Sequence, residues 1–285
     1  MFENNSSSLS LHVLAMLVSA RNFVEQNSAA IFMSESTGDV NSKGDQTLGI
    51  DAGVESILVK YVHENFPTAR IFSEEIGEIP QVGGNCEYTI VFDPIDGSNN
   101  FRTGKGALPY GTFVAIYKGK NPKIKEVLSA GMIEHTAGMI YLCDESRTIK
   151  LDGSAVSLLS KGFSKSTMTY LDLYYHNGYK AYASFAEHFS LRDSGSQAGN
   201  LRYLLSGISA MTGGVSVGAE EIGTIYALAS RAGGVVVDHE GNDVGNLSFE
   251  TERKYQILAG RNDVVDLAVT CLITDAYNNR SCCED

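Results

Sequence analysis

The run Tyr88-Thr89-Ile90-Val91-Phe92-Asp93-Pro94-Ile95-Asp96-Gly97-Ser98-Asn99-Asn100-Phe101 constrains this chain more than any other stretch. Tyr88 to Phe92 is a short apolar, β-branched and aromatic segment, which predicts a buried strand. Pro94 fixes its own φ and offers no N–H, so the strand is expected to end there. Asp96-Gly97 is turn chemistry, and Ser98 and Asn99 are good N-caps for a helix beginning just after it. Two carboxylates, the Ile95 carbonyl and the N–H groups of a helix start would then converge on one small volume. Oxygen ligands suit a hard cation, and a helix N-terminus suits a phosphate. The same residues would also serve an ordinary turn after a strand, so the choice between the two falls to the rest of the chain.

Composition narrows the field. At 285 residues the chain is long enough for one large domain or two packed halves. Its net charge of −12 argues against a nucleic-acid-binding face, which needs clustered Lys and Arg. That charge also opposes any anionic substrate, a difficulty that bound cations would relieve locally. The five cysteines (Cys86, Cys143, Cys271, Cys282 and Cys283) lack zinc-ligand spacing, and a reduced, cytoplasmic protein is expected. Leu9 to Ala20 is apolar but too short to span a bilayer, and Glu3 rather than a basic residue precedes it. It predicts a core helix, and neither a membrane nor a nucleic acid is expected as a partner. The six histidines show no paired metal spacing, and no Gly-x-Ser-x-Gly elbow, Walker loop or dinucleotide glycine pattern occurs.

Along the chain, Ser6-Ser7-Ser8 is expected to cap a helix from Leu9 into the low thirties, followed by a loop from Ser34 to Thr47. A second helix is expected from about Asp51 to just before Pro67, with Asp51 as a candidate N-cap. Arg70 to Ser73 reads as a strand leading into Glu74-Glu75. After the signature come three antiparallel strands, Thr112 to Tyr117, Val127 to Ile133 and Met139 to Cys143. Beyond about residue 160 short apolar strands (Thr167 to Leu173, Gly213 to Val217, Gly234 to Val237) alternate with helices. Two packed halves follow, 1–160 and 161–285, the first α+β and the second α/β.

Asp93-Pro94-Ile95-Asp96-Gly97-Ser98-Asn99-Asn100-Phe101 resembles the signature of the lithium-sensitive, magnesium-dependent phosphomonoesterases. That superfamily contains inositol monophosphatases, fructose-1,6-bisphosphatases and nucleotide bisphosphate phosphatases. Other segments resemble its motifs in the same order. Glu74-Glu75 is similar to a Gly-Glu-Glu element, with Ser73 in place of the glycine. Gly44-Asp45-Gln46-Thr47 with Asp51 and Glu55 is similar to a loop-to-helix segment. Arg192 to Ala198 is similar to a Gly-Ser loop, although it would also serve as a plain helix-capping turn. Glu221 stands at the offset from Gly233-Gly234 where inositol phosphatases place a metal-binding aspartate after a tryptophan, and fructose bisphosphatases a glutamate. Glu220 is the alternative if the register slips by one.

The resemblance implies the layered αβαβα sandwich of the sugar phosphatases and Mg²⁺-dependent hydrolysis of a phosphomonoester, with two or three ions and Mn²⁺ as a possible substitute. It places Glu74, Asp93 and the Ile95 carbonyl on one ion, and Asp93, Asp96 and Glu221 on a second. Glu74 and Ser98, with Asp51, become the catalytic set that orients water; Gly97 and Ser98 bind phosphate; Asn177, Tyr179, Gly195 and Ser196 face substrate. A homodimer or homotetramer is implied. Gly214 stands where inositol phosphatases carry an acid that contacts the inositol hydroxyls, which implies a loose inositol preference and acceptance of both fructose-1,6-bisphosphate and inositol-1-phosphate. Lys180 and Arg202 are the candidates, by position, for a second phosphate. The alternatives are a 3'(2'),5'-bisphosphate nucleotidase and a non-catalytic regulator that binds phosphate or metal.

Overall fold

The computed structural model describes residues 5–30, 35–40, 46–80, 85–104 and 106–281. Gly44 and Asp45 of the Gly-Asp-Gln segment and the Cys282-Cys283 pair lie outside the described residues.

The first half begins with α1 (Asn5–Asn27), a hairpin of β1 (Ser36–Val40) and β2 (Gln46–Leu48), and α2 (Gly49–Asn65). The described parts of the expected loop, β1 and β2, pair antiparallel. The first helix starts before Ser6 and ends at Asn27, short of the low thirties. Next come β3 (Arg70–Ser73), β4 (Gly77–Ile79), β5 (Tyr88–Asp96), the short helix α3 (Ser98–Gly104), β6 (Gly111–Lys118), β7 (Val127–Glu134), β8 (Met139–Cys143) and β9 (Thr148–Lys150). The strands form one sheet of order β4-β3-β5-β6-β7-β8-β9, antiparallel except for the β3–β5 pair.

The second half contains β10 (Met168–Leu171), α4 (His176–Tyr182), β11 (Ser190–Arg192), α5 (Gln197–Leu205), β12 (Met211–Val217), α6 (Ala219–Ser230), β13 (Val235–Val237), β14 (Tyr255–Gly260) and α7 (Asn262–Ser281). Its five strands lie in the order β11-β10-β12-β14-β13.

Side-chain alternation explains the stacking of these elements. Along β5, Ile90 and Phe92 join the core formed with α1 and α2, while Val91 joins the opposite core with Leu201 and Leu204 of α5 and Ile222 and Ile225 of α6. The strand is buried on both faces, which accounts for its unbroken apolar run. On β14, Ile257 and Ala259 face that same middle layer, and Leu258 faces Tyr182 of α4, Phe185 just beyond it, and Val264 and Val265 of α7. The layers are therefore helices, seven-stranded sheet, helices, five-stranded sheet, helices.

The signature strand does not stop at Pro94. It continues to Asp96 through an irregularity: Asp93 pairs with Phe113 and Asp96 with Gly111, so three steps on β5 match two on β6. One extra residue is a β-bulge, and Pro94, having no N–H, costs the ladder nothing there. The Thr112 hydroxyl donates to the Pro94 carbonyl at 2.7 Å, which satisfies the acceptor left over by the bulge. The bulge also decides direction. Residues three apart on a regular strand point to opposite faces; one inserted residue restores the parity and turns Asp93 and Asp96 to the same face.

Candidate active site

Asp93, Asp96 and Glu221 are buried, and one carboxylate oxygen of each lies within 4.8 Å of the others. Three different local structures deliver them. Asp93 and Asp96 come from the bulged end of β5. Glu221 sits in the first turn of α6, where its carboxylate accepts the Gly218 N–H at 2.8 Å and so caps the helix that carries it. Glu220 is equally buried but its carboxylate folds back over Gly218. It is Glu221, not Glu220, that stands with the two aspartates.

Asp96 joins the halves of the molecule. It accepts the Ser196 hydroxyl, the Ala198 N–H at 2.7 Å and the Gln197 N–H at 3.1 Å, occupying the N-terminus of α5. Ser196 is that helix's N-cap and accepts the Gly199 N–H at 3.1 Å. Asn100 adds a second tie, its amide donating to the Pro109 and Ser194 carbonyls at 2.7 Å each. Gly97 requires its residue type twice over: its φ is +81°, and a Cβ there would lie 2.9 Å from the Ser196 Cβ. Burial raises the Asp96 pKa most strongly; the Ser196, Ala198 and Gln197 donors oppose the rise, and the Glu74 charge adds to it.

A second acidic group adjoins the first. Asp51 occupies the third position of α2, not its N-cap, and its Oδ2 accepts the Leu48 N–H at 3.0 Å. The Ser98 hydroxyl lies 2.6 Å from Asp51 Oδ1 and 2.8 Å from the Ile95 carbonyl oxygen. Burial pushes Asp51 up to about 8; Ser98 lowers it, and the charges of Glu75 and Glu74 raise it. Glu55 is raised by burial and accepts both the Ser73 hydroxyl and the Ile76 N–H. The serine that departs from the Gly-Glu-Glu pattern thus anchors Glu55 beneath the Glu74 corner. The Thr47 hydroxyl donates to Glu75, so the β1–β2 hairpin is attached to that corner too.

The substrate-side residues are more dispersed. Gly195 packs against Asn100, with φ +71°. Asn177 lines a cavity of about 380 Å³ with Tyr175, Ala181, Val215, Ser216, His239 and Gln256. Tyr179 is not among those lining residues and is largely exposed. Arg202 is turned elsewhere: its guanidinium pairs with the buried Glu134 at 3.8 Å and lies 4.7 Å over the Tyr203 ring. Lys180 is exposed on α4. Sequence reasoning overlooked Asp172, just beyond β10, half-buried and raised to about 6 by burial and by the charges of Asp193 and Asp96. A lone aspartate after an apolar run carries no motif, so nothing in the sequence marked it.

Three buried carboxylates in one volume fit a hard divalent cation: oxygen donors are what such an ion takes, and a positive charge would offset the cost of holding three negative groups away from water. Glu74 couples electrostatically to Asp51 and to Asp96 and lies at the rim of the same group.

Layer order and acidic centre together define a protein with the inositol monophosphatase and fructose bisphosphatase fold. The extragenic suppressor protein SuhB of Bartonella henselae superposes with a TM-score of 0.77 over 93% of this chain and 98% of its own, at 16% identity. A Leishmania major fructose-1,6-bisphosphatase in holo form gives 0.75 over 92% and 94%, also at 16% identity. Residues 2–151 match the family of the fructose-1-6-bisphosphatase N-terminal domain, and the chain belongs to that family. The fructose-1,6-bisphosphatase/inositol-1-monophosphatase of Thermococcus kodakarensis is 34% identical over 104 residues, 35% of this chain and 37% of its own length. The matches to the class 1 fructose-1,6-bisphosphatases span 37 to 39% of those proteins. Among the described residues no helix is long and apolar enough to cross a membrane.

Proposed function

We propose that the chain is a divalent-metal-dependent phosphomonoesterase acting on a small polyol phosphate, an inositol or sugar phosphate. One observation carries the reading: Asp93, Asp96 and Glu221 converge within 4.8 Å beside the Ser98–Asp51 pair. Three buried carboxylates sharing one volume are the arrangement that a divalent cation would hold together.

Asp93, Asp96 and Glu221 would hold one Mg²⁺, and Glu74, Asp93 and the Ile95 carbonyl another. Bound there, the ions would neutralise phosphate charge and acidify a water molecule. The remaining work belongs to the chain. Asp51, fixed by the Leu48 N–H, accepts the Ser98 hydroxyl and holds it beside the Ile95 carbonyl. Ser98 and Glu74 then orient the attacking water, and backbone N–H groups of Gly97 and Ser98 receive phosphate oxygens. Asp96, clamped by Ser196 and Ala198, keeps the substrate-side helix α5 in register with the acidic centre.

Release of inorganic phosphate from a panel of inositol, sugar and nucleotide phosphates, with Mg²⁺ and after chelation, tests the reading. Metal-dependent release from inositol-1-phosphate or fructose-1,6-bisphosphate is expected. No release from any ester in the presence of Mg²⁺ or Mn²⁺ would reject it.

A further inference from the structure

The alcohol side of the site has its own chemistry. β10 and β12 run parallel with Leu171 opposite Gly213, which brings Asp172 to the level of Gly214. Gly214 has no side chain, and the Asp172 Cβ lies 3.7 Å from the point a Gly214 Cβ would occupy. The Gln197 amide lies 2.8 Å from that same point, and the Gln197 N–H donates to Asp96. Asp172 is therefore one residue removed from the acidic centre.

Asp172 is not among the residues that line the cavity and acts toward it only through Tyr182. Its charge acts on buried Tyr182, whose hydroxyl is 2.9 Å from Nε2 of the cavity residue His239. Val215, next to Gly214, lines the cavity with Asn177, Ser216 and Gln256. None of the described lining residues is Lys or Arg, and burial lowers the His239 pKa against the opposing Asp238 charge. The Asp172 neighbourhood is acidic again: Asp193 accepts the Leu173 N–H at 2.9 Å and the Gly195 N–H at 2.7 Å. A second phosphate placed here would meet two carboxylates and no described cation. A hydroxyl would instead donate a charge-assisted hydrogen bond.

Resting on the phosphatase reading above, we propose that Asp172 is a specificity residue that accepts a hydroxyl of the leaving alcohol and repels a second phosphate, so that the enzyme favours monophosphates of neutral polyols over bisphosphates.

The test compares kcat/KM for inositol-1-phosphate and fructose-1,6-bisphosphate in the natural chain, Asp172→Asn and Asp172→Glu. The natural chain is expected to prefer the monophosphate by at least about tenfold. Asp172→Asn removes the charge at nearly constant shape and should move the ratio toward the bisphosphate by about tenfold or more, mainly by lowering KM for the bisphosphate. Asp172→Glu keeps the charge and should return the ratio toward that of the natural chain. If thermal melting shows that Asp172→Asn fails to fold, Asp172→Ser takes its place in the comparison. A natural preference for the bisphosphate, or a ratio within about threefold of the natural one in the uncharged variant, overturns the proposal while leaving the phosphatase reading intact. Loss of the phosphatase reading shows itself differently, as no hydrolysis of either ester by the natural chain.

Discussion

The two sheets treat their polar residues in opposite ways. In the seven-stranded sheet, Asp93 and Asp96 stand at the end of a strand buried on both faces, fixed by a bulge and a helix N-terminus. In the five-stranded sheet, the corresponding polar groups follow short strands: Asp172 comes after a four-residue strand, and Asn177 lies on an exposed helix. Rigidity is needed in the first setting and not in the second. Groups that share an ion must be held to fractions of an ångström, and a buried ladder does that. Groups that choose between alcohols can sit at strand ends and helix surfaces, where substitution disturbs little of the core.

The sharpest break of that comparison is Asp93→Asn. An amide cannot supply the charge or the second anionic oxygen that a shared ligand needs, and kcat should fall by about 10⁴-fold, some 5 kcal/mol of transition-state stabilisation. The fold should survive, because an uncharged group replaces one of three crowded carboxylates. A protein that unfolds instead, read by thermal melting, would make Asp93 structural.

Asp51 should reveal the strain of the metal-free centre. Its folded pKa, about 8, exceeds the ordinary 3.8, so the folded state binds the proton more tightly than the unfolded chain. Stability of the metal-free protein should therefore be highest at low pH in this respect and fall as pH rises between those values, by on the order of 5 kcal/mol from this group. Asp51→Asn should flatten the fall and raise the metal-free Tm at pH 8 while abolishing turnover. A variant that melts lower than the natural chain at pH 8 would contradict the assignment.

Glu221→Gln should raise the Mg²⁺ concentration needed for half-maximal activity by about ten- to a hundredfold, and Glu220→Gln should leave it near its natural value. The opposite ranking would place Glu220 in the centre. The smallest effect is expected at the joint between the halves. Asn100→Ala leaves the Pro109 and Ser194 carbonyls without their donor, and denaturant melts should show a loss of about 2 kcal/mol.

Much of the acidic centre was legible in the sequence because its residues are close in the chain. Asp93, Asp96, Gly97 and Ser98 fall within one turn-like segment, and the apolar run before them can only be a buried strand. What the sequence could not show was how they converge. Pro94 reads as a strand end, yet the strand passes through it, because pairing with β6 resumes after the bulge and Thr112 captures the spare carbonyl. The β1–β2 pair was hidden for a related reason: its polar, glycine-containing strands lack the alternation that marks a half-buried sheet. The substrate side was least legible. Arg202 was a candidate by position, but it lies on α5 and its partner Glu134 on β7, and only tertiary packing brings the two together. Asp172 meets Gly214 across neighbouring strands, a pairing set by register and not by any local pattern.

The central claim is that a buried group of acids awaits divalent cations and uses them to cleave a phosphate ester. One titration tests it directly: the chelated protein is titrated with Mg²⁺ while Tm and phosphate release from inositol-1-phosphate are followed in the same samples. The account predicts no turnover before metal is added, then a parallel rise of both signals. It predicts also that Glu221→Gln shifts both curves to higher Mg²⁺ together. Full turnover by the exhaustively chelated protein, or activity that appears with no change in Tm at any Mg²⁺ concentration, would contradict it.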